Sequence, residues 1–320
     1  MGHQSPKNNC LIQKKMIKKT VKIEEVVKLL GKDLIKVEGP IDGVEFDNIP
    51  DAAHVCVTSL DWINSGKENK QAIAEQSQAR VLVVDDSILY SSQLSNQHKT
   101  LLVVKRPRKV MAQIATQFFL KRHEPGIHPS AVIDEEAIID VSATVSAGCV
   151  LGKCKIGKNT VLMPNVVIYD DVVIGEECLI QAGAVIGTDG LGCSRDEEGR
   201  LTKFPHLGGV QIGNKVEIGA NCQIAKGAFS DTIIENGCKL NGLCFIAHNN
   251  HLEENVWITG DTMLCGSVHV KKNTTIFSNV IVREQRQIGE KAVVGMGSVV
   301  TKNIPDGETW IGSPAHKIEK

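Results

Sequence analysis

His248, Asn249, His251 and His269 lie within 22 residues and have the side-chain types that proton transfer requires. A histidine with an ordinary pKa of about 6.5 can accept a proton near neutrality and return it to a leaving group, so His248 is a candidate general base. Carbonyl-transfer chemistry also needs a fixed hydrogen-bond donor for the oxyanion. Gly266, eighteen residues after His248, offers a backbone N–H with no side chain over it. A corner glycine would look the same, and a lone histidine in a repeat is more often a structural hydrogen-bonding residue. Three imidazoles this close also raise zinc ligation.

The element that must position these groups has a period of six. Aliphatic residues recur at Val132, Ile138, Thr144, Val150, Ile156, Leu162, Ile168, Ile174, Ile180 and Ile186, with Thr144 the one polar member. After an interruption the series resumes at Ile212, Ile218 and Ile224, and then runs from Ile234 to Val300. An amphipathic helix repeats near 3.6 residues and a half-exposed strand at 2, so neither accounts for this pattern. A chain wound into a triangular coil does, with one short strand per side and one aliphatic side chain per strand pointing inward. Glycine often follows the inward residue (Gly157, Gly175, Gly219, Gly289), where backbone freedom would suit a corner. Three hexads make one coil of eighteen residues, which places Gly266 one coil beyond His248 on the same edge.

Two breaks in phase interrupt the coil, at Thr188 to Val210 and at Ala225 to Thr232. Insertions in a solenoid tend to carry binding groups. N-terminal to the repeats the pattern is mixed: an amphipathic stretch at Ile23–Leu30, apolar runs at Val81–Val84 and Leu101–Val104, and a helical segment around Val110 to Phe119. The expected organisation is a polar tail over 1–20, a small α/β domain over 21–122, a β-helix over 123–312 and a C-terminal tail over 313–320. With 36 basic and 37 acidic residues the net charge is −1, so no global field draws nucleic acid or an anionic membrane. The ten cysteines include no CxxC pair and no apolar leader opens the chain, which reads as reduced, mostly buried thiols in a cytoplasmic protein.

The motifs within the repeats are Asp189-Gly190-Leu191-Gly192, Phe204-Pro205-His206-Leu207-Gly208-Gly209-Val210, Val216-Glu217-Ile218-Gly219-Ala220, Gly227-Ala228 followed by Asp231-Thr232-Ile233-Ile234, and Ile246-Ala247-His248-Asn249. With the hexads they resemble the UDP-3-O-acylglucosamine N-acyltransferase family and its relatives that acylate other nucleotide-linked amino sugars, over about residues 125–312. The resemblance implies a left-handed parallel β-helix, a homotrimer with active sites between neighbouring helices, an N-terminal domain that helps bind the nucleotide, and acyl-CoA or acyl carrier protein as donor, with no bound cofactor. It matches His248 to the catalytic base and Gly266 to the oxyanion donor. Asp189, Lys203, His206, Asn249 and His251 become candidates for substrate contact, and Trp62 for stacking on the nucleobase.

Three departures qualify it. The lipid A enzymes usually carry an aspartate seven residues before the histidine, where this chain has Asn241, an amide that can orient an imidazole but not neutralise its charge. Their Asp-Arg-Gly-Ala is here Ala225-Lys226-Gly227-Ala228, and a second histidine is replaced near Gln285. The chain also ends soon after its last coil. These differences favour an N-acyltransferase acting on another nucleotide-linked amino sugar, such as one for surface polysaccharide, with the lipid A enzyme as the alternative. A γ-carbonic-anhydrase-like metalloenzyme and a non-catalytic scaffold are lesser alternatives, although His248-x-x-His251 does not reproduce the metal spacing of the former.

Overall fold

The computed structural model describes residues 20–318. All but Thr20 of the expected N-terminal tail, including Cys10, therefore lies outside the described residues. The chain divides into two compact units between Arg122 and His123.

In the N-terminal unit a four-stranded sheet runs in the order Leu34–Glu38, Thr100–Val104, Val81–Val84, Leu60–Trp62. The two central strands are apolar on both faces because both faces are covered, and all of Val81–Val84 and Leu101–Val104 is buried. Helix Ile23–Leu30 buries Ile23, Val26 and Leu30, the i, i+3, i+7 stripe of an amphipathic helix. The second long helix is Pro107–Phe118. It starts earlier than the apolar pattern indicated because proline, lacking an N–H, fits a first helical turn.

The second unit is a left-handed parallel β-helix. Its three sheets have eleven, nine and eight strands, most of only two residues. Strands in successive coils mostly pair eighteen residues apart where no insertion intervenes, as in Phe245 with Met263, His251 with His269 and Trp257 with Thr275. A single aliphatic ladder fills the interior, and every sixth residue from Ile156 to Ile186 and from Ile234 to Val300 is buried.

In the first coils the inward residue is one position later than the count from Val132 gives. Val145 and Leu151 are buried and Ile133 and Ile139 pack on the core, whereas Val132 and Ile138 are 64% and 60% exposed. Thr144 is polar because it belongs to this outward set. The phases merge through a five-residue step from Leu151 to Ile156, since Leu151 pairs with Ile168 and Ile156 with Ile174. The shortened corner fits because Gly152 has no Cβ, which would stand 2.2 Å from Asp170 Oδ1.

The corners also differ from expectation. The left-handed residue is three positions after the inward one, with asparagine the most frequent type: Asn159, Asn165, Asn221, Asn249, Asn255, Asn273 and Asn279 have φ between 54° and 62°. Asparagine tolerates this region better than other non-glycine residues. Gly157, Gly175, Gly219 and Gly289 have no left-handed φ; a Cβ on each would come within 2.3–2.5 Å of the adjacent coil. Those glycines permit close stacking rather than a turn.

The interior also explains the cysteine content. Side chains two positions before the inward residue donate to corner carbonyls of the next coil, as Cys178 Sγ does to Gly213 O (3.1 Å), Cys238 Sγ to Glu253 O (3.1 Å) and Thr274 Oγ1 to Gly289 O (2.7 Å). Burial pushes the Cys154 thiol up to about 11 and the Cys238 thiol up to about 12. All nine described cysteines are free thiols and six of them are buried.

Residues 313–318, expected as a tail, instead close the last coil. His316–Lys317 pairs antiparallel with Thr309–Ile311, and Ala315 is buried with its N–H on Val299 O at 2.8 Å. Among the described residues no helix is long and apolar enough to cross a membrane.

The phase assignment predicts that Leu151→Ala destabilises the protein by about 2–5 kcal/mol. Val150→Thr should stay within about 0.5 kcal/mol. Denaturant unfolding of both variants checks this, and a larger loss for Val150→Thr than for Leu151→Ala would restore the earlier phase.

Candidate active site

His248 occupies the corner after inward-facing Ile246, followed by Asn249 with a left-handed φ of 58°. Its Nδ1 lies 3.0 Å from Asn249 Oδ1. The amide orientation is fixed by its surroundings, because the same oxygen accepts from Ala228 N–H (3.0 Å) and Nδ2 donates to Ser230 O and Oγ (3.0 Å each). An amide oxygen only accepts, so His248 Nδ1 carries the hydrogen and Nε2 of the neutral ring carries the lone pair.

Gly266 lies beneath that ring. A Cβ at Gly266 would stand 2.5 Å from both Cε1 and Nε2 of His248, so only glycine leaves the ring in place. Among the described residues the Gly266 N–H has no hydrogen-bond acceptor. The base and a free backbone donor therefore sit side by side across one coil step, an arrangement able to deprotonate a nucleophile and to stabilise an oxyanion.

Both insertions converge here. The first contains an antiparallel hairpin, Gly192–Arg195 with Leu201–Phe204. It packs on the second through Phe204 and Phe229, edge to face at 5.1 Å, and through Leu207 N–H donating to Ala228 O at 2.6 Å. Asn249 ties the second insertion to the base, as above. His206 is 4% exposed and its ring meets that of His248 edge to face at 5.2 Å. Its Nδ1 is 3.2 Å from Phe204 O, a pure acceptor, which leaves Nε2 without a partner and covered by Gly190. His206 thus reaches the site through His248 rather than by facing solvent.

Asp189 accepts from Lys203 Nζ at 2.5 Å and pairs with Lys226 Nζ at 3.2 Å. First Lys203 and then Lys226 hold its carboxyl below the usual carboxylate range. Two ammonium groups sharing one carboxylate leave a local positive charge at this cluster, suited to an anionic ligand. Lys226 was not among the sequence candidates; its position in the second phase break was the available signal.

Other candidates are not brought to His248. Asn241 is exposed and its Oδ1 accepts from the N–H of Gly242 at 2.8 Å, so within the chain Asn249 takes the orienting position expected of it. His251 pairs with Glu235 (2.6 Å) and stacks on His269 at 4.9 Å, which pairs with Glu253 (2.8 Å). These imidazoles do not converge with His248, and among the described residues no group of three His, Cys, Asp or Glu is placed to hold a metal ion. Trp62, in the N-terminal unit, is half-buried and lines a cleft of about 580 Å³ with Asp61, Asn64 and Ser77.

Residues 153–188 match the family model described as bacterial transferase hexapeptide (six repeats). The UDP-3-O-acylglucosamine N-acyltransferase of Delftia acidovorans is 34% identical over 258 residues, covering 79% of this chain and 75% of that protein. The chain belongs to the UDP-3-O-acylglucosamine N-acyltransferase family. It is an acyltransferase. The enzyme of that name from Herminiimonas arsenicoxydans is 29% identical over 317 residues, 92% of this chain and 88% of its own. The UDP-N-acetylglucosamine acyltransferase of Francisella novicida superposes with a TM-score of 0.56 at 26% identity, covering 60% of this chain and 70% of that structure. For this family the geometry predicts that Gly266→Ala, by displacing the imidazole, lowers kcat by about 100-fold or more. The melting temperature should stay within about 3 °C of wild type. Steady-state kinetics and thermal melting check both, and near-normal kcat would exclude the side-by-side geometry.

Proposed function

We propose that the protein is the UDP-3-O-acylglucosamine N-acyltransferase step itself, transferring an acyl group from an acyl carrier protein or CoA thioester to the sugar amine. The observation that carries this reading is the His248–Gly266 pair with His248 Nε2 free. The names of the relatives favour the lipid A substrate over another nucleotide-linked amino sugar, reversing the preference drawn from Asn241, Lys226 and Gln285.

A sugar amine is partly protonated near neutrality, as amino groups with pKa values of about 7.7–8.0 are. In the proposed reaction Nε2 of His248 takes a proton from the amine as nitrogen attacks the thioester carbonyl. The N–C bond forms, and the oxyanion is held by the Gly266 N–H. Collapse breaks the C–S bond, and the imidazolium returns its proton to the departing thiolate. Asn249 keeps the base in the required tautomer. Lys203 and Lys226, sharing Asp189, supply charge for the phosphates of the nucleotide or of the carrier's prosthetic group.

The N-terminal unit, with Trp62 in its cleft, is the proposed nucleobase site. A homotrimer is the proposed assembly, supported by apolar side chains left exposed on the insertions beside the site, among them Leu191, Leu207 and Phe229 at 70% or more. The cytoplasm, where carrier-protein thioesters are made, is the proposed compartment.

The test is thiol release from acetyl-, hydroxybutyryl- and long-chain thioesters, in CoA and carrier-protein forms, with UDP- and dTDP-linked amino sugars including UDP-3-O-acylglucosamine. Release is expected only with long-chain donors and the 3-O-acylated sugar, and His248→Ala should lower it by about 100-fold or more. Release with short CoA donors and a different sugar would return the preference to a polysaccharide enzyme. Undiminished release by His248→Ala would remove the base assignment.

A further inference from the structure

Asn250 is fully buried inside the β-helix directly after the corner that carries His248. In the same interior column stand Val210 and Thr232 in preceding coils and Val268 in the next. Its Nδ2 donates to two carbonyls, Ala247 O at 2.7 Å and Cys265 O at 3.0 Å. Those are the residues immediately before His248 and Gly266. Both neighbours can only accept, which fixes the amide orientation and leaves Oδ1 buried with no partner.

That orphan oxygen distinguishes Asn250 from the other interior donors. Thr262 Oγ1 donates to Phe277 O (3.2 Å) and Thr274 Oγ1 to Gly289 O, each across one coil and with no unsatisfied side-chain atom. Val172, Val210 and Val268 show that the fold also tolerates no donor in this column. A buried unpaired amide oxygen is destabilising, so stability alone does not account for an asparagine here.

The geometry points to Asn250 as a positioning residue for the oxyanion donor, an inference that rests on the His248–Gly266 reading. The peptide between Cys265 and Gly266 is trans, since the one cis bond among the described residues is Ser313–Pro314. In a trans peptide the C=O and N–H point in opposite directions. Holding the Cys265 carbonyl toward the core therefore aims the Gly266 N–H out of it, to the side where His248 stands. A hydrogen bond on the carbonyl also polarises the peptide and strengthens its N–H as a donor. The second bond, to Ala247 O, fixes the corner carrying the base to the same amide, so one side chain sets the spacing between base and donor. No solvent-exposed residue could do this, because both carbonyls face the interior.

The experiment compares Asn250→Val and Asn250→Thr with wild type and with His248→Ala in the thiol-release assay, measuring kcat, the KM for each substrate, and the melting temperature. Asn250→Val reproduces the Val268 environment and should fold, yet lower kcat by about 10- to 100-fold with both KM values within about twofold. Asn250→Thr, able to donate to Cys265 O as Thr262 does to Phe277 O, should return kcat to within about threefold of wild type. Unchanged kcat in a folded Asn250→Val overturns the proposal. So does activity that tracks melting temperature in both variants, because a structural role predicts that pattern. If Asn250→Val fails to fold, Asn250→Thr decides alone: a loss of kcat like that expected for valine overturns the proposal. Full activity of His248→Ala would instead overturn the underlying site, whatever the Asn250 variants show.

Discussion

The hydrogen-bond ladder between coils fixes which residues can meet. Around the site each short strand pairs with the one eighteen residues on, and the corners are stitched as well: Ala247 N–H donates to Leu264 O at 3.0 Å and Ser267 N–H to His248 O at 2.9 Å. Slipping this register by one residue would turn the Ile, Leu and Val ladder out of the core, so the buried ladder holds it. A base and an oxyanion donor on equivalent corners of adjacent coils are then held at a set separation without any loop having to close. The solenoid is stiff where the chemistry is placed, and variable only at its two insertions.

Those insertions supply what a plain coil lacks. A regular corner presents backbone and one outward side chain; here His206 meets the His248 ring, Ala228 and Ser230 bond to the neighbouring Asn249, and Asp189, Lys203 and Lys226 add charge on the insertions. Asn249 joins the two systems. It takes the left-handed corner that the coil requires, and its carboxamide links the second insertion to the imidazole. One residue thus serves the turn, the insertion and the tautomer, and the peptide and amide groups around it leave no freedom in its orientation.

Most of the solenoid was legible because an aliphatic residue every sixth position has no other simple explanation. The early phase was not, since Val132-Ile133, Ile138-Ile139 and Val150-Leu151 each offer two adjacent apolar residues; the polar Thr144 beside Val145 was the one clue to which faced inward. The corner glycines were visible, but their cause lay in the distance to the next coil, which no single-chain pattern encodes. His248 and Gly266 could be matched by spacing. The exchange of Asn241 for Asn249 as orienting partner could not, because it depends on where Ala228 N–H and Ser230 O fall after the second insertion folds back. Likewise Asp189 and Lys203 were singled out separately, and only the folded hairpin makes them partners.

The central claim is that His248 is held as the tautomer with hydrogen on Nδ1, leaving Nε2 free beside the Gly266 N–H. The direct measurement is ¹⁵N NMR of the imidazole ring in histidine-labelled protein, at a pH where the ring is neutral, with His248→Gln used to assign its signals. The account predicts a protonated Nδ1 and an unprotonated Nε2 for His248. A ring with its hydrogen on Nε2 would contradict it, since that nitrogen could not then take the proton from an attacking amine.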